Sequence, residues 1–201
     1  MSSKKILVIY ILLLLYSCNN HSQQIKGIDA DTIIANTIPT DEAQQAQPSV
    51  FERVTALKKL TPFSPAQLKN ILPKQLLQYH QTNFEITNQN GYSTAKYVYH
   101  NLNQNKSFQF TIIDCAGETG ANIYYLQYLT RLNIQSETNQ GYTKQIDLLG
   151  QKAIATYQKK LNQHELTFFN NDRLLIQMSA THLDINEMKQ IIGALELSLP
   201  S

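Results

Sequence analysis

Between residues 106 and 115 apolar and polar side chains alternate. Phe108, Phe110 and Ile112 fall on one side of an extended chain, and Ser107, Gln109 and Thr111 fall on the other. A period of two is the mark of a half-buried β-strand. The same period runs through residues 82–88, with Phe84 and Ile86, and through 92–102, with Ala95, Tyr97 and Tyr99. Asn90-Gly91 and residues 103–105 supply turn-forming side chains between these stretches, which predicts an antiparallel meander. Four further strands are predicted over 141–148, 152–160, 165–169 and 173–179. Leu149-Gly150-Gln151 and Asn170-Asn171-Asp172 stand at the turns.

The period lengthens to that of a helix in four places. Val54, Leu57 and Leu60 suggest a short helix from Phe51. Ser64-Pro65 reads as a helix start, with Ser as N-cap and Pro at the first helical position; Leu68, Ile71 and Leu72 form its stripe, and Pro73 stops it. Ala121, Tyr125, Tyr128, Leu129 and Leu132 share one helical face, which leaves Tyr124 at its edge. Asp184 with Glu187 three residues on is a capping-box variant before Ile185, Met188, Ile192 and Leu195. Strands grouped rather than alternating with helices argue for an α+β fold: an antiparallel β-sheet of about six to seven strands with helices packed on it. This single globular unit is expected over 49–201.

The first 48 residues follow neither period. Lys4 and Lys5 precede eleven apolar or aromatic residues, 6–16. That run is too short for a bilayer core about 30 Å thick, which takes about 20 residues, but it suits the apolar region of a signal peptide. Residues 1–17 are therefore expected to be a signal peptide, and 18–48, rich in Asn, Gln, Asp and Thr, a disordered tether spanning roughly 30 Å. Removing the signal takes the 17 Lys and Arg to 15, level with the 15 Asp and Glu. A chain near neutrality has no basic field with which to hold nucleic acid.

Chemistry-bearing residues are sparse. The two cysteines are Cys18 and Cys115. Cys115 continues the parity of Ile113, so it reads as a small buried side chain, with a nucleophilic thiol as the alternative. His80, His100, His164 and His182 have no metal-ligand spacing, so no metal or other cofactor is expected. Asp114 is expected to cap the turn that follows it. Gly117 and Gly120 precede a helix, but the Lys-Ser/Thr of a phosphate loop is missing. No catalytic residue is assigned.

Leu15-Tyr16-Ser17-Cys18 resembles the lipobox of bacterial lipoproteins, with Tyr16 departing from the usual small residue. The resemblance implies cleavage before Cys18, lipidation of its sulfur and attachment to the bilayer through the acyl chains. Asn19 in place of Asp favours the outer membrane, facing the periplasm. Leu72-Pro73, the TIIDCAG stretch at 111–117, GYTKQIDLLGQKA at 141–153 and the closing hairpin and helix are similar to a family of uncharacterised bacterial lipoproteins, and to PsbP-like α/β/α sandwiches. That resemblance implies a binding or assembly role more often than catalysis and carries over no catalytic residue. With the lipobox, the tether and the lack of a catalytic constellation, the expectation is a non-enzymatic binding or assembly module with an envelope partner; a small-ligand carrier is the alternative. An envelope hydrolase using Cys115 is the third reading.

Two or three acyl chains contribute about 0.8 kcal/mol per buried CH₂, enough for stable anchoring. The native chain is therefore expected in the membrane fraction with acyl mass on Cys18, and Cys18→Ala in the soluble fraction. An unmodified Cys18 on a soluble native chain is the opposing result, read by mass spectrometry of both fractions.

Overall fold

The computed structural model describes residues 49–89 and 91–200, all within a unit that begins at Gln45. The expected signal peptide, Cys18, the tether and Asn90 of the Asn-Gly turn lie outside the described residues. The described chain is α+β. Its element order is α1 (Val50–Lys59), α2 (Pro65–Leu68), β1 (Gln75–Leu76), β2 (Tyr79–Gln89), β3 (Tyr92–Asn101), β4 (Lys106–Asp114), α3 (Gly117–Gln127), β5 (Ser136–Thr138), β6 (Gly141–Leu148), β7 (Gln151–Gln158), β8 (Gln163–Asn170), β9 (Leu174–Thr181) and α4 (Ile185–Gly193).

All nine strands form one sheet in the order β1-β2-β3-β4-β9-β8-β7-β6-β5, and every neighbouring pair is antiparallel. Two meanders, β1–β4 and β5–β9, therefore meet at the β4–β9 pair. The count corrects the expected six to seven strands. The additional two, β1 and β5, are two and three residues long at the two edges. Strands that short hold no alternation to read; they are strands because a neighbour fixes them.

The register sorts the side chains onto two faces. Phe110 lies opposite Met178 and Ile112 opposite Ile176, while Ile113 lies opposite Leu175 on the other side. The first face carries the larger core: Tyr97, Tyr99, Phe108 and Phe110 pack with Leu68 and Ile71 and with Met188 and Ile192 of α4. The second face carries a smaller core, in which Ile113, Ile154, Phe169 and Leu175 meet Leu57 of α1 and Ala121 and Tyr124 of α3. Helices thus cover both faces. Beyond the residues that α1 and α3 cover, the second face continues as a row of polar side chains in register across five strands, Gln109, Ser179, Glu165, Thr156 and Thr143.

Local chemistry sets the helix starts. Ser49 and Glu52 form a capping box on α1, Ser64 and Gln67 on α2, and Asp184 and Glu187 on α4. The second helix is a single turn rather than the stretch to Leu72. Pro73 disfavours helical backbone at Leu72, and the Leu68 carbonyl accepts from the Tyr97 hydroxyl. Leu68, Ile71 and Leu72 are buried even so.

One polar group sits at the junction of these parts. Asp114 ends β4 with no solvent exposure. Its carboxylate accepts from Phe63 N at 2.6 Å, Ala116 N at 3.2 Å, and Arg173 Nε and Nη2 at 2.8 Å each. Arg173 also donates to Thr61 O at 2.7 Å and places its guanidinium carbon 3.3 Å from the centre of the Phe63 ring. The Arg173 carbonyl accepts from Cys115 N. Asp114 does bridge the turn after β4, as expected, but it also binds the β8–β9 turn and the segment 61–63 to that point.

Removing one partner of a buried pair costs about 3–5 kcal/mol, because the other charge stays buried without compensation. Arg173→Met is expected to lose stability of that order in urea unfolding. Lys58→Met, which breaks the exposed pair with Glu118, is expected to stay within about 1 kcal/mol of the parent.

Candidate functional site

α1 and α3 lie side by side on the second face, joined at the surface by Lys58 and Glu118 at 2.7 Å. α3 can sit close to the sheet because Gly120 has no side chain: a Cβ there would come within 2.5 Å of the Cys115 carbonyl carbon. The buried side of α3 is Gly120, Ala121 and Tyr124, with Tyr128 following at its end. Tyr125 is 48% exposed and Tyr124 1%, the reverse of the expected assignment. The expected stripe extended an α-helical period past Gln127. The chain there tightens into a 3₁₀ turn over Leu129–Arg131, which shifts the phase of every later position.

Tyr124, Tyr128 and Phe169 form a ring cluster beneath the two helices. The centroid of Phe169 lies 4.2 Å from that of Tyr124 and 6.2 Å from that of Tyr128. The Tyr128 hydroxyl donates to the Lys152 carbonyl of β7, so its polar end is occupied while its ring is buried. From α1, Arg53 reaches over Phe169, 5.9 Å from the ring centre, and meets Asp172 at 3.3 Å. Together these residues enclose a cleft of about 540 Å³. Its floor is the three rings, its apolar wall Val50, Leu129 and Leu132, and its polar rim Arg53, Lys152 and Asp172. Its lining is mixed, since Gln151 and Asn171 add further polar groups; concave sites of this size that combine apolar and polar side chains suit small molecules.

The residues singled out from the sequence do not converge there. Cys115 has no exposed surface, and its thiol donates to the Ile113 carbonyl. Burial pushes that thiol from its ordinary 9.0 up to about 12. The cluster around it holds Leu57, Ala121 and Tyr124, so Cys115 has no approach for a substrate. His80 faces His100 across β2 and β3. His164 stacks on Tyr157 at 4.4 Å, and burial pushes its pKa down. Glu118 at the start of α3 pairs with Lys58, and no phosphate loop forms. Among the described residues no group of His, Cys, Asp or Glu could hold a metal ion.

Arg53 and Phe169 were not singled out from the sequence, although one of them leaves a signal. Phe168 and Phe169 are adjacent in a strand, so their rings must point to opposite faces. Both are buried, Phe168 in the larger core and Phe169 in the smaller. Two consecutive aromatics in one strand therefore announce that both faces are covered. Arg53 leaves no such mark, since its place over Phe169 depends on a contact 116 positions away in sequence.

Comparison of the chain with protein-family models, with curated proteins and with solved structures finds no match in any of the three. Among the described residues no helix is long and apolar enough to cross a membrane.

The buried acids give a pH expectation. Burial raises the Tyr128 hydroxyl from 10.0 to about 12, and raises Tyr97, Tyr99 and Tyr124 as well as Cys115. A raised folded-state pKa favours the protonated form, so this stability is complete below the unfolded values of 9.0 and 10.0 and is lost as pH rises toward 12. The urea midpoint is expected to be insensitive to these groups below about pH 9 and to fall above it. In Cys18→Ala, Cys115 is expected to resist alkylation near pH 8 until denaturant is added; prompt alkylation of the folded chain is the contrary result.

Proposed function

We propose that this chain is a membrane-anchored lipoprotein of the bacterial envelope, held to the bilayer through acylated Cys18, whose α+β unit is a non-enzymatic binding module. The lipobox resemblance supports the anchor and an outer-membrane, periplasm-facing location. The single observation that supports the binding role is the cleft of about 540 Å³ over Tyr124, Tyr128 and Phe169. The apolar wall of Val50, Leu129 and Leu132 gives a ligand contact surface, and the charged rim orients it. Cys115 adds nothing to this site, because its sulfur lies sealed beneath the same helices.

A second reading, assembly with an envelope protein, is favoured by a separate observation. Phe51 is 80% exposed and Leu126 61% exposed on α1 and α3, and exposed large apolar residues of this kind serve as interface anchors.

A photo-crosslinking residue placed at 126, 129 or 190 in growing cells separates the readings. A binding cleft gives an adduct at 129 well above that at Gln190, which is exposed on α4. A protein adduct at 126 without one at 129 moves the function to the outer surface of α3. Equal and low yields at all three positions overturn both readings.

A further inference from the structure

We infer that the ligand of this cleft is a small carboxylic acid with an apolar body, the body against Val50, Leu129 and Leu132 and the carboxylate on Arg53. The inference rests on the binding role proposed above and adds the chemical class of the ligand.

The wall selects for an apolar body. Val50, Leu129 and Leu132 give aliphatic surface at the side, over the largely buried rings of Tyr124, Tyr128 and Phe169. The Tyr128 hydroxyl, which could have served a polar ligand, is bound to the Lys152 carbonyl.

The rim selects for a negative head. The ionisable side chains lining the cleft are Arg53, Lys152 and Asp172, two cations and one anion. Arg53 is incompletely used. Its Nε–H is buried with no acceptor among the described residues. Its contact with Asp172 is one long pairing at 3.3 Å, to a carboxylate whose side chain is 78% exposed. The guanidinium offers a planar fork of donors that fits a carboxylate in two parallel bonds. A ligand carboxylate can take that fork, with a small turn of the Arg53 side chain, while Asp172 returns to water at little cost because it is already largely solvated. The exchange replaces an exposed pairing with one in a partly enclosed cleft, where charge-assisted bonds are stronger. A cationic ligand would face Arg53 and Lys152 together. A neutral one would leave the Arg53 donor as it is.

The test uses the full chain in bilayer nanodiscs, with empty discs as the blank. Two probes of the same shape are titrated by calorimetry: 1-naphthylacetate and the uncharged 1-naphthylacetamide. The acid is expected to bind about tenfold or more tightly than the amide, the factor corresponding to one charge-assisted hydrogen bond. Arg53→Gln should bring acid and amide to equal affinity, and Leu132→Trp, which fills the wall, should abolish binding of both. Equal affinity for acid and amide on the unaltered chain overturns the carboxylate assignment and leaves the binding role standing. Binding that survives Leu132→Trp places the probe elsewhere and overturns the inference. Absence of binding by either probe overturns the inference; adducts at position 129 in cells then decide the binding role separately.

Discussion

The carboxylate of Asp114 is buried completely and is met by four donors from three parts of the chain. An ion in such a place is tolerated only while its partners stay in position, so their positions are correlated. Arg173 holds the β8–β9 turn, Phe63 N holds the link between α1 and α2, and Ala116 N holds the entry to α3. Phe169 lies four residues before Arg173, and Asp172 adjoins it. The ring floor and the acidic side of the cleft are therefore set by the same pair that orients the helix above them. The interaction need not add much net stability relative to an apolar replacement of both partners; its effect is to fix one arrangement of three segments.

The cleft follows from a shortage of helix. α3 has eleven residues and gives way to a 3₁₀ turn beyond Gln127. With about 1.5 Å of rise per residue it spans roughly 16 Å, less than the width of a nine-stranded sheet with neighbours about 4.8 Å apart. The ring surface near β7 and β8 is thus left with α1 on one side and Leu129 and Leu132 on the other. The larger core has no such gap, because α4 and the segment around Leu68 and Ile71 meet over it. The two faces are also differently built. The first is lined by Tyr and Phe over many strands, while the second turns polar along the row from Gln109 to Thr143.

The central strands were legible in the sequence because one side of each is polar. The alternation at 106–115 reports a face that the helices cover only near Ile113. The capping box at Asp184 and Glu187 was legible for a similar reason: its two hydrogen bonds join residues three apart. Features made by distant residues were not. The nine-strand count depends on edge pairs of two and three residues, and the inward turn of Tyr124 depends on where α3 ends. The ion pair joins residues 59 positions apart, so the sequence showed Asp114 as a turn residue and gave no hint of Arg173. Of the cleft, the sequence marked Tyr124 and Tyr128 as aromatic bulk, but not the arginine that closes over them.

The two short strands at the margins of the sheet have a consequence for life at high local density. An open β-edge is a row of unused amide and carbonyl groups on which another chain can crystallise. Here β1 covers only Tyr79 and His80 of β2, and β5 only the first three residues of β6, so the rest of each of those strands lies at the margin. β5 is exposed along its whole length and carries Glu137 at its centre, and beyond β1 the backbone turns away at Leu77, whose φ is 52°. Many copies confined to a common surface would meet one another edge to edge far more often than in free solution. The bulge between Gln81 and Asn83 on β2 and the charges of Lys144 and Asp147 on β6 are what would keep such copies from zipping edge to edge.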